Sequence, residues 1–287
     1  MSAPPHAFLT GAASGIGRCV ARRWLARGGL LCAVDVDAQA LHRVADEDGW
    51  DPERSTLAVV DVRDTRALSR ALDAAEARAP VDVMMNVAGV LRPQWCHELD
   101  EDDVDLQIDV NIKGVIHGTR LAAAHMIPRG RGHVINVASM AAFAPIPGIS
   151  VYSATKFAVR AFSLCAATEL APHGLFVSTV CPDAVETPML VMQEAHDASA
   201  ITFSGGRPLE ADEIARIICE DVLHRRPREI AIPPRRRRLA ILANAFPWLA
   251  DRLYPLMLRR GFAHRDARIS ASTRPPRGSA GDPDGPH

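Results

Sequence analysis

Thr10-Gly11-Ala12-Ala13-Ser14-Gly15-Ile16-Gly17 closes an apolar run and opens a stretch of helical period. Three glycines spaced G-x-x-x-G-x-G let the backbone turn sharply and approach a ligand closely. The helix start behind them offers free N–H groups and a positive dipole end, which together suit a pyrophosphate. The spacing is not G-x-G-x-x-G, so the loop by itself reads equally well as a tight strand-to-helix connection. Its neighbours along the chain decide between the two.

Outward from this loop, short β-branched runs alternate with longer segments of helical period, which predicts βα units, a parallel sheet and an α/β fold. Strands are expected at His6 to Thr10, Leu30 to Asp35, Thr56 to Val60, Val81 to Asn86, His133 to Ser139, Leu175 to Cys181 and Glu229 to Ile232. Helices are expected at Gly15 to Arg27, Asp37 to Glu47, Thr65 to Arg78, Asp102 to Met126, Ser150 to His173 and Glu210 to Arg225. Two regions break the rhythm. Residues 187–207 form an irregular, apolar insertion of the length expected for a lid. Past residue 233 the chain carries Arg235 to Arg238, an apolar extension interrupted by Pro247 and Pro255, and from 265 to 287 a Pro-, Gly-, Ser- and Arg-rich tail expected to be disordered.

The bulk properties narrow the function classes. With 287 residues, 48% of them hydrophobic, the chain suits one α/β domain with additions. A formal net charge of −1 argues against a nucleic-acid partner. Six scattered cysteines without CxxC spacing or a paired histidine cluster read as buried reduced thiols, with no metal site. Met1-Ser-Ala-Pro-Pro lacks the marks of a signal peptide, and no apolar stretch reaches spanning length, so a cytoplasmic protein is expected.

Two further features carry chemistry. Asp35 ends the second strand about twenty residues after the glycine loop, where a carboxylate accepts hydrogen bonds from a ribose diol and repels a 2′-phosphate, favouring NAD. The bland alternative is a cap for the helix near Asp37, and Arg18, just past the loop, keeps NADP open. Only two of 33 basic residues are lysines, Lys113 and Lys156, and Lys156 lies four positions after Tyr152. Four residues apart on a helix share a face, so the ammonium is expected to favour the phenolate. Lys113 reads as structural or solvent-facing.

Together these segments resemble the short-chain dehydrogenase/reductase family over roughly residues 6 to 232. The resemblance is carried by the T-G-x-x-x-G-x-G loop, Asp61, Asn86-Val-Ala-Gly89, Asn111, Ser139 and the Tyr152-x-x-x-Lys156 pair, in the family's order and spacing. It implies a single Rossmann-type, doubly wound parallel sheet of about seven strands with helices on both faces. Residues 1–233 would form the dinucleotide-binding and catalytic domain, and 234–264 a helical extension. The resemblance makes Tyr152 the general acid/base, and Ser139 the group that orients the substrate oxygen. Lys156 would tune the tyrosine and hold the nicotinamide ribose, while Asn111 would bend its helix and anchor a water near Lys156. Cofactor contacts would come from Gly11, Ser14, Gly15, Ile16, Gly17, Asp35, Asp61, Val62, Asn86, Ala88, Gly89, Tyr152, Lys156, Pro182, Val185 and Thr187. One departure stands out: Asp183 replaces the family's usual glycine after proline, and aspartate tolerates the left-handed backbone such a turn would need. Val87 likewise replaces a frequent asparagine.

The segments Leu91 to Trp95, Met140 to Gly148, Ala184-Val185 and the lid up to Phe203 are rich in apolar side chains. They suit a bulky lipophilic secondary alcohol or ketone, such as a steroid, terpenoid, long-chain or aromatic one. The leading expectation is an oxidoreductase that transfers hydride between NAD(H) and such an alcohol or ketone; the alternatives are an NADPH-dependent ketone reductase and a non-catalytic dinucleotide-sensing binding protein. Residues 235–262 read either as a membrane-surface element, with arginines at headgroups and Phe246, Trp248 and Leu256 at the acyl boundary, or as helices covering the cleft or another subunit. The resemblance suggests a homodimer or homotetramer.

Overall fold

The computed structural model describes residues 4–272. Among them, seven parallel strands form one sheet in the order β3-β2-β1-β4-β5-β6-β9. Their ranges are β1 His6–Thr10, β2 Leu30–Asp35, β3 Ser55–Val59, β4 Val83–Asn86, β5 Gly132–Val137, β6 Leu175–Pro182 and β9 Glu229–Ile232. Two short strands, β7 Val185–Glu186 and β8 Leu209–Glu210, pair separately and were not evident from periodicity, which two residues cannot carry.

Every residue of β1 is buried, as expected for a central parallel strand covered on both sides. Alternation divides it: Ala7 and Leu9 face α1 Gly15–Ala26, α2 Ala38–Glu47 and α8 Ala211–Arg216, while Phe8 faces α3 Thr65–Arg78, α5 Val115–Met126 and α6 Ser150–Leu170. The sheet is therefore doubly wound. The chain runs outward from β1 to β3 and then returns to β4, so strand order reverses between β1 and β4, where a crevice opens beyond the strand ends. Parallel register sets Thr10 level with Asn86, and Asn86 level with Asn136, which aligns the floor of that crevice.

The long middle helix expected at 102–126 is divided. It starts as α4 Glu101–Ile108, widens into a π-helical segment at Asp109–Gly114, and resumes as α5. Gly114 sits where an added Cβ would lie 2.9 Å from Val62, so the widened turn passes close under the β3 end. Residues 187–207 are not irregular: α7 Pro188–Glu194 and a 3₁₀ stretch, Asp197–Ser204, order most of them. The extension forms α10 Pro234–Ala245 and α11 Pro247–Ser272. Pro255 lies inside α11, not at a break, and residues 265–272 continue that helix where disorder was expected. Residues 273–287 of the expected tail lie outside the described residues. Gly261 lets α11 press on the 3₁₀ stretch, since a Cβ there would fall 2.1 Å from the Ala200 carbonyl. No described helix is long and apolar enough to cross a membrane. Of the cysteines, Cys32, Cys181 and Cys219 are buried as expected, but Cys96 and Cys165 are exposed.

His133 in β5 is 4% exposed, shares a 2.9 Å hydrogen bond with Ser178 through Nε2, and has no partner at Nδ1. Burial pushes its pKa down to about 4. The unfolded chain therefore takes up the proton first, and the stability present above the unfolded pKa near 6.5 is lost as pH falls toward 4. The expected loss is about 3 kcal/mol over that window. Denaturant titrations at several pH values should show it, and His133→Gln should remove most of the slope; an unchanged slope would clear His133 of this role.

Candidate active site

The glycine loop closes on the rest of the crevice at van der Waals range. A Cβ on Gly11 (φ +75°) would lie 2.8 Å from the Ala88 backbone, and one on Gly15 (φ +49°) 2.9 Å from the Thr187 methyl. Gly17 admits no Cβ at all, because the Gly11 carbonyl would be 1.8 Å away. The three glycines thus bring the start of α1, the β4 end and the Thr187 segment together. Ser14, the residue before α1, makes no side-chain cap, which leaves its hydroxyl and the first-turn N–H groups for a ligand.

Asp35 accepts from the Ala13 N–H at 2.9 Å and the Asp37 N–H at 3.1 Å, tying β2 to the glycine loop. It is not the helix cap: Asp37 caps α2 by accepting from Ala40 N at 2.9 Å. Arg18 points elsewhere. Its guanidinium donates to Asp48 at 2.8 and 2.7 Å and reaches Glu47 at 3.0 Å, off the crevice wall. Asp61 and Val62 line the crevice together with Arg63, which donates to the Asp61 carboxylate at 2.6 to 3.0 Å and holds its pKa below the usual range. Arg63 was missed in the sequence; its only signal was adjacency to Asp61.

The β4 end divides its residues. Val87, Ala88 and Gly89 line the crevice, but the Asn86 side chain turns inward. Its amide donates to Asn136 at 2.8 Å and sits 3.4 Å from the Thr119 hydroxyl, and Asn136 in turn donates to Ser163 at 2.9 Å. Asn86 is therefore a buried brace between β4 and β5, because an amide fully enclosed by the sheet must find partners there. Asn111, in the π segment and fully buried, accepts from Val90 N at 2.8 Å and donates to Val90 O at 2.8 Å and to Thr155 at 3.1 Å. It clamps the segment following Gly89 against α6.

Ser139, Tyr152 and Lys156 converge at the middle of the crevice. Ser139 follows β5 and accepts from Ala141 N at 3.1 Å, and its hydroxyl is near enough to the Tyr152 phenol to work against the upward shift of the phenol pKa. Lys156 is 3% exposed, with its ammonium 5.5 Å from the Tyr152 ring centre and donating to the Val137 carbonyl at 3.0 Å. A Cβ on Gly89 would lie 3.4 Å from Nζ, so the ammonium is confined on that side too. The expectation that Lys156 lowers the phenol does not hold in this state. Burial outweighs the Ser139 hydroxyl and pushes Tyr152 up to about 12, and burial brings Lys156 down to about 8. The apolar wall penalises both charges, and the ammonium spends a hydrogen bond on Val137. Lys113, by contrast, pairs with Asp109 at 2.6 Å on the exposed side of its helix.

Beyond β6, Pro182, Val185 and Thr187 line the crevice; the Thr187 hydroxyl donates to Val185 O at 3.1 Å. Asp183 is not left-handed, since Arg226 is the one described non-glycine residue with positive φ. Instead its carboxylate pairs with Arg236 of α10, and its N–H reaches Ile232 O at 2.9 Å. Burial raises its pKa, against which Arg236 pulls it down. No sequence signal could have matched two residues 53 positions apart. Arg237 likewise pairs with Glu229 at 2.8 Å, so half of the Arg235–Arg238 run serves the fold.

The crevice measures about 1730 Å³ and runs from Asp35 past Ser139 to α10 and α11. Its far wall carries Ile146, Met189, Leu190, Leu239, Leu253 and Met257. Of the segments expected to frame a substrate, Leu91 and Arg92 contribute but Trp95 does not, and Phe143 and Phe203 are core residues behind the wall. The crevice thus has two arms, one made polar by Asp35, Asp61 and Arg63, the other apolar and lined by α10 and α11. Among the described residues no group of three or more His, Cys, Asp or Glu is placed to hold a metal ion.

Comparison with known proteins agrees with this geometry. The sequence model of the family described as short chain dehydrogenase matches residues 5–198. A 2,3-dihydro-2,3-dihydroxybenzoate dehydrogenase of Bacillus subtilis is 34% identical over 184 residues, 64% of this chain and 70% of the relative. An NADP-dependent 3-hydroxy acid dehydrogenase of Salmonella typhi is 37% identical over 172 residues, 59% of this chain and 67% of the relative. The solved structure of a short chain dehydrogenase/reductase from Burkholderia phymatum in complex with NAD superposes with a TM-score of 0.77 at 26% identity, covering 86% of this chain and 95% of that one. A matching family sequence over more than half the chain, and the same sheet with the Ser139, Tyr152 and Lys156 side chains gathered at its crevice, place this chain in the short chain dehydrogenase family of oxidoreductases.

Proposed function

We propose that the protein moves hydride between NAD(H) and a lipophilic secondary alcohol or ketone, with Tyr152 as general acid/base. The observation that carries this reading is the two-armed crevice, whose polar arm carries the glycine loop and Asp35 and whose apolar arm lies against α10 and α11, with Ser139 and Tyr152 on the same wall. The polar arm fits the cofactor: glycines that admit no side chain, an uncapped α1 start, and a crevice-lining carboxylate at Asp35 that would accept from a ribose diol. Ser14, Ile16, Asp61, Val62, Ala88, Gly89, Pro182, Val185 and Thr187 would complete its walls. Bound there, the nicotinamide supplies or accepts the hydride.

The protein's own groups handle the proton. In reduction, Ser139 and Tyr152 hold the ketone oxygen, and the neutral phenol gives its proton to that oxygen as the carbonyl carbon gains hydride. The phenol near pKa 12 keeps this acid intact at ordinary pH. In oxidation the phenolate takes the alcohol proton back. Lys156 would hold the ribose and, while charged, would oppose the charge of the phenolate, and Asn111 keeps the Val90 segment and α6 in place around it.

NAD is favoured by Asp35 and by the diversion of Arg18 to Asp48 and Glu47. The NADPH reading keeps one supporting feature, the Arg63 guanidinium at the same end of the crevice. Titrating cofactor fluorescence tests the choice: NADH should bind at least about tenfold tighter than NADPH, the scale of one charged hydrogen bond. Asp35→Asn keeps the acceptor for Ala13 but removes the charge, and should shrink that ratio by about tenfold. Equal binding of both cofactors to the native protein would remove Asp35 as the selector. A panel of ketones of rising lipophilicity then tests the apolar arm; turnover restricted to small, highly charged ones would count against it.

A further inference from the structure

The apolar arm is lined by both α10 and α11, and next to the lining residues in sequence these helices leave large side chains in water. Leu239 is 67% exposed, Phe246 46%, Trp248 61% and Leu256 67%. Leu242 and Leu253, 47% and 44% exposed, also line the crevice, as Leu239 does. Leu239, Leu242 and Leu253 thus carry the inner wall out to the surface, with Asn244 and Asp251 as the polar lining residues between them. On α10, Leu239, Leu242 and Phe246 recur at i, i+3 and i+7, which sets them on one face. An apolar patch of this extent marks an interaction surface.

The charges around it are one-sided. From residue 235 to 260 the sequence holds seven arginines and a single acid, Asp251. Arg236 and Arg237 are paired inward with Asp183 and Glu229. Arg235, Arg238, Arg252, Arg259 and Arg260 are exposed and make no ion pair among the described residues. Exposed Trp, Phe and Leu ringed by arginine match an interfacial segment that sinks apolar side chains below anionic headgroups.

We propose that α10 and α11 dock on an anionic lipid surface, with the mouth of the apolar arm facing the acyl boundary. A lipophilic substrate would then enter from the membrane without crossing water; this second clause rests on the lipophilic-substrate reading, whereas the docking does not. A second copy of the chain fits the patch less well. A twofold contact of the patch with itself sets the five arginines against the same five and closes both mouths.

The test is flotation of the full chain with phosphatidylcholine vesicles and with vesicles that also contain phosphatidylglycerol. Binding to the anionic vesicles should be at least about tenfold stronger and should weaken as salt rises. Arg235→Glu with Arg238→Glu should lose about fivefold per charge neutralised. Phe246→Ser, Trp248→Ser and Leu256→Ser together should abolish binding; none of the three lines the crevice, so NADH binding and turnover of a water-soluble ketone should persist. Equal partition into both vesicle types, or full binding by the triple serine variant, overturns the proposal. So does an absence of vesicle binding together with a concentration-dependent dimer that the triple variant disperses. If no ketone is turned over by any form, the enzymatic reading fails while the vesicle result stands by itself.

Discussion

Tyr152→Phe should lower kcat by about 10³-fold, within the 10²–10⁴ range for loss of a positioned acid/base. That corresponds to about 4 kcal/mol of transition-state stabilisation. The effect is expected to be large because the phenol stands beside Ser139 on the crevice wall, where a substrate oxygen would need its proton. Ser139 alone can polarise a ketone oxygen, but its hydroxyl is a far weaker acid and is already shared with Ala141 N. The ring itself stays, so the crevice wall is unchanged and NADH affinity should hold within about twofold. Stability should fall by no more than about 1 kcal/mol, the net worth of one hydrogen bond. Steady-state rates beside NADH fluorescence titration separate these effects. Normal turnover by the variant would remove Tyr152 from the mechanism; turnover absent from the native protein as well, with NADH bound tightly, would revive the sensing-protein reading.

What the sequence disclosed follows from how local each signal is. Each of the seven sheet strands was legible to within one or two residues; the central ones are short runs buried on both faces, which writes a continuous apolar segment, while the edge strand β3 has no buried residue and was marked by its β-branched, turn-bounded sequence alone. The glycine loop, Asp35, Ser139 and the Tyr152/Lys156 pair were legible for a related reason. Their chemistry depends on spacing within one element or at one strand end. What was hidden depends on contacts across the chain. Asn86 shares a crevice strand with Ala88, but only the fold shows that its amide is satisfied by Asn136 and Thr119 behind the sheet. Asp183 looked like a substitute for a turn glycine, whereas it is half of an ion pair with Arg236 that fastens α10 beside the crevice. Pro255 looked like a break, yet a proline within α11 is tolerated because that helix is held along its length by the 3₁₀ stretch and by Arg265 and Arg268, which reach Asp197, Glu186 and Glu194.

Those pairs tie the extension to the crevice wall as well as roofing it. Arg236 and Arg268 anchor α10 and α11 to Asp183 and Glu186, which flank Val185 and precede Thr187 on the cofactor wall. The roof and the wall are thereby one construction, so displacing α10 displaces the segment that meets Gly15.

Lys156→Arg keeps a positive charge and should still lower kcat about 100-fold, because what the site demands is shape and titration. The native ammonium lies between the Val137 carbonyl, 3.0 Å away, and the Gly89 backbone, with 3% of the residue exposed. A guanidinium is longer, planar and forked. It cannot occupy that space without pushing on Gly89 or Tyr152, and a misplacement of about 1 Å is enough for a 10²-fold loss. The pH profile supplies a readout that simple misfolding would not. Burial lowers Lys156 to about 8, so its charge is present below that pH and lost above it. In the native protein kcat/KM for ketone reduction should therefore decline as pH rises through about 8, while the phenol, near 12, remains protonated throughout. An arginine does not titrate in this range, so the residual activity of the variant should lack that decline. If Lys156→Arg works at the native rate, charge alone is the requirement; if its profile still falls near pH 8, the titrating group is not Lys156.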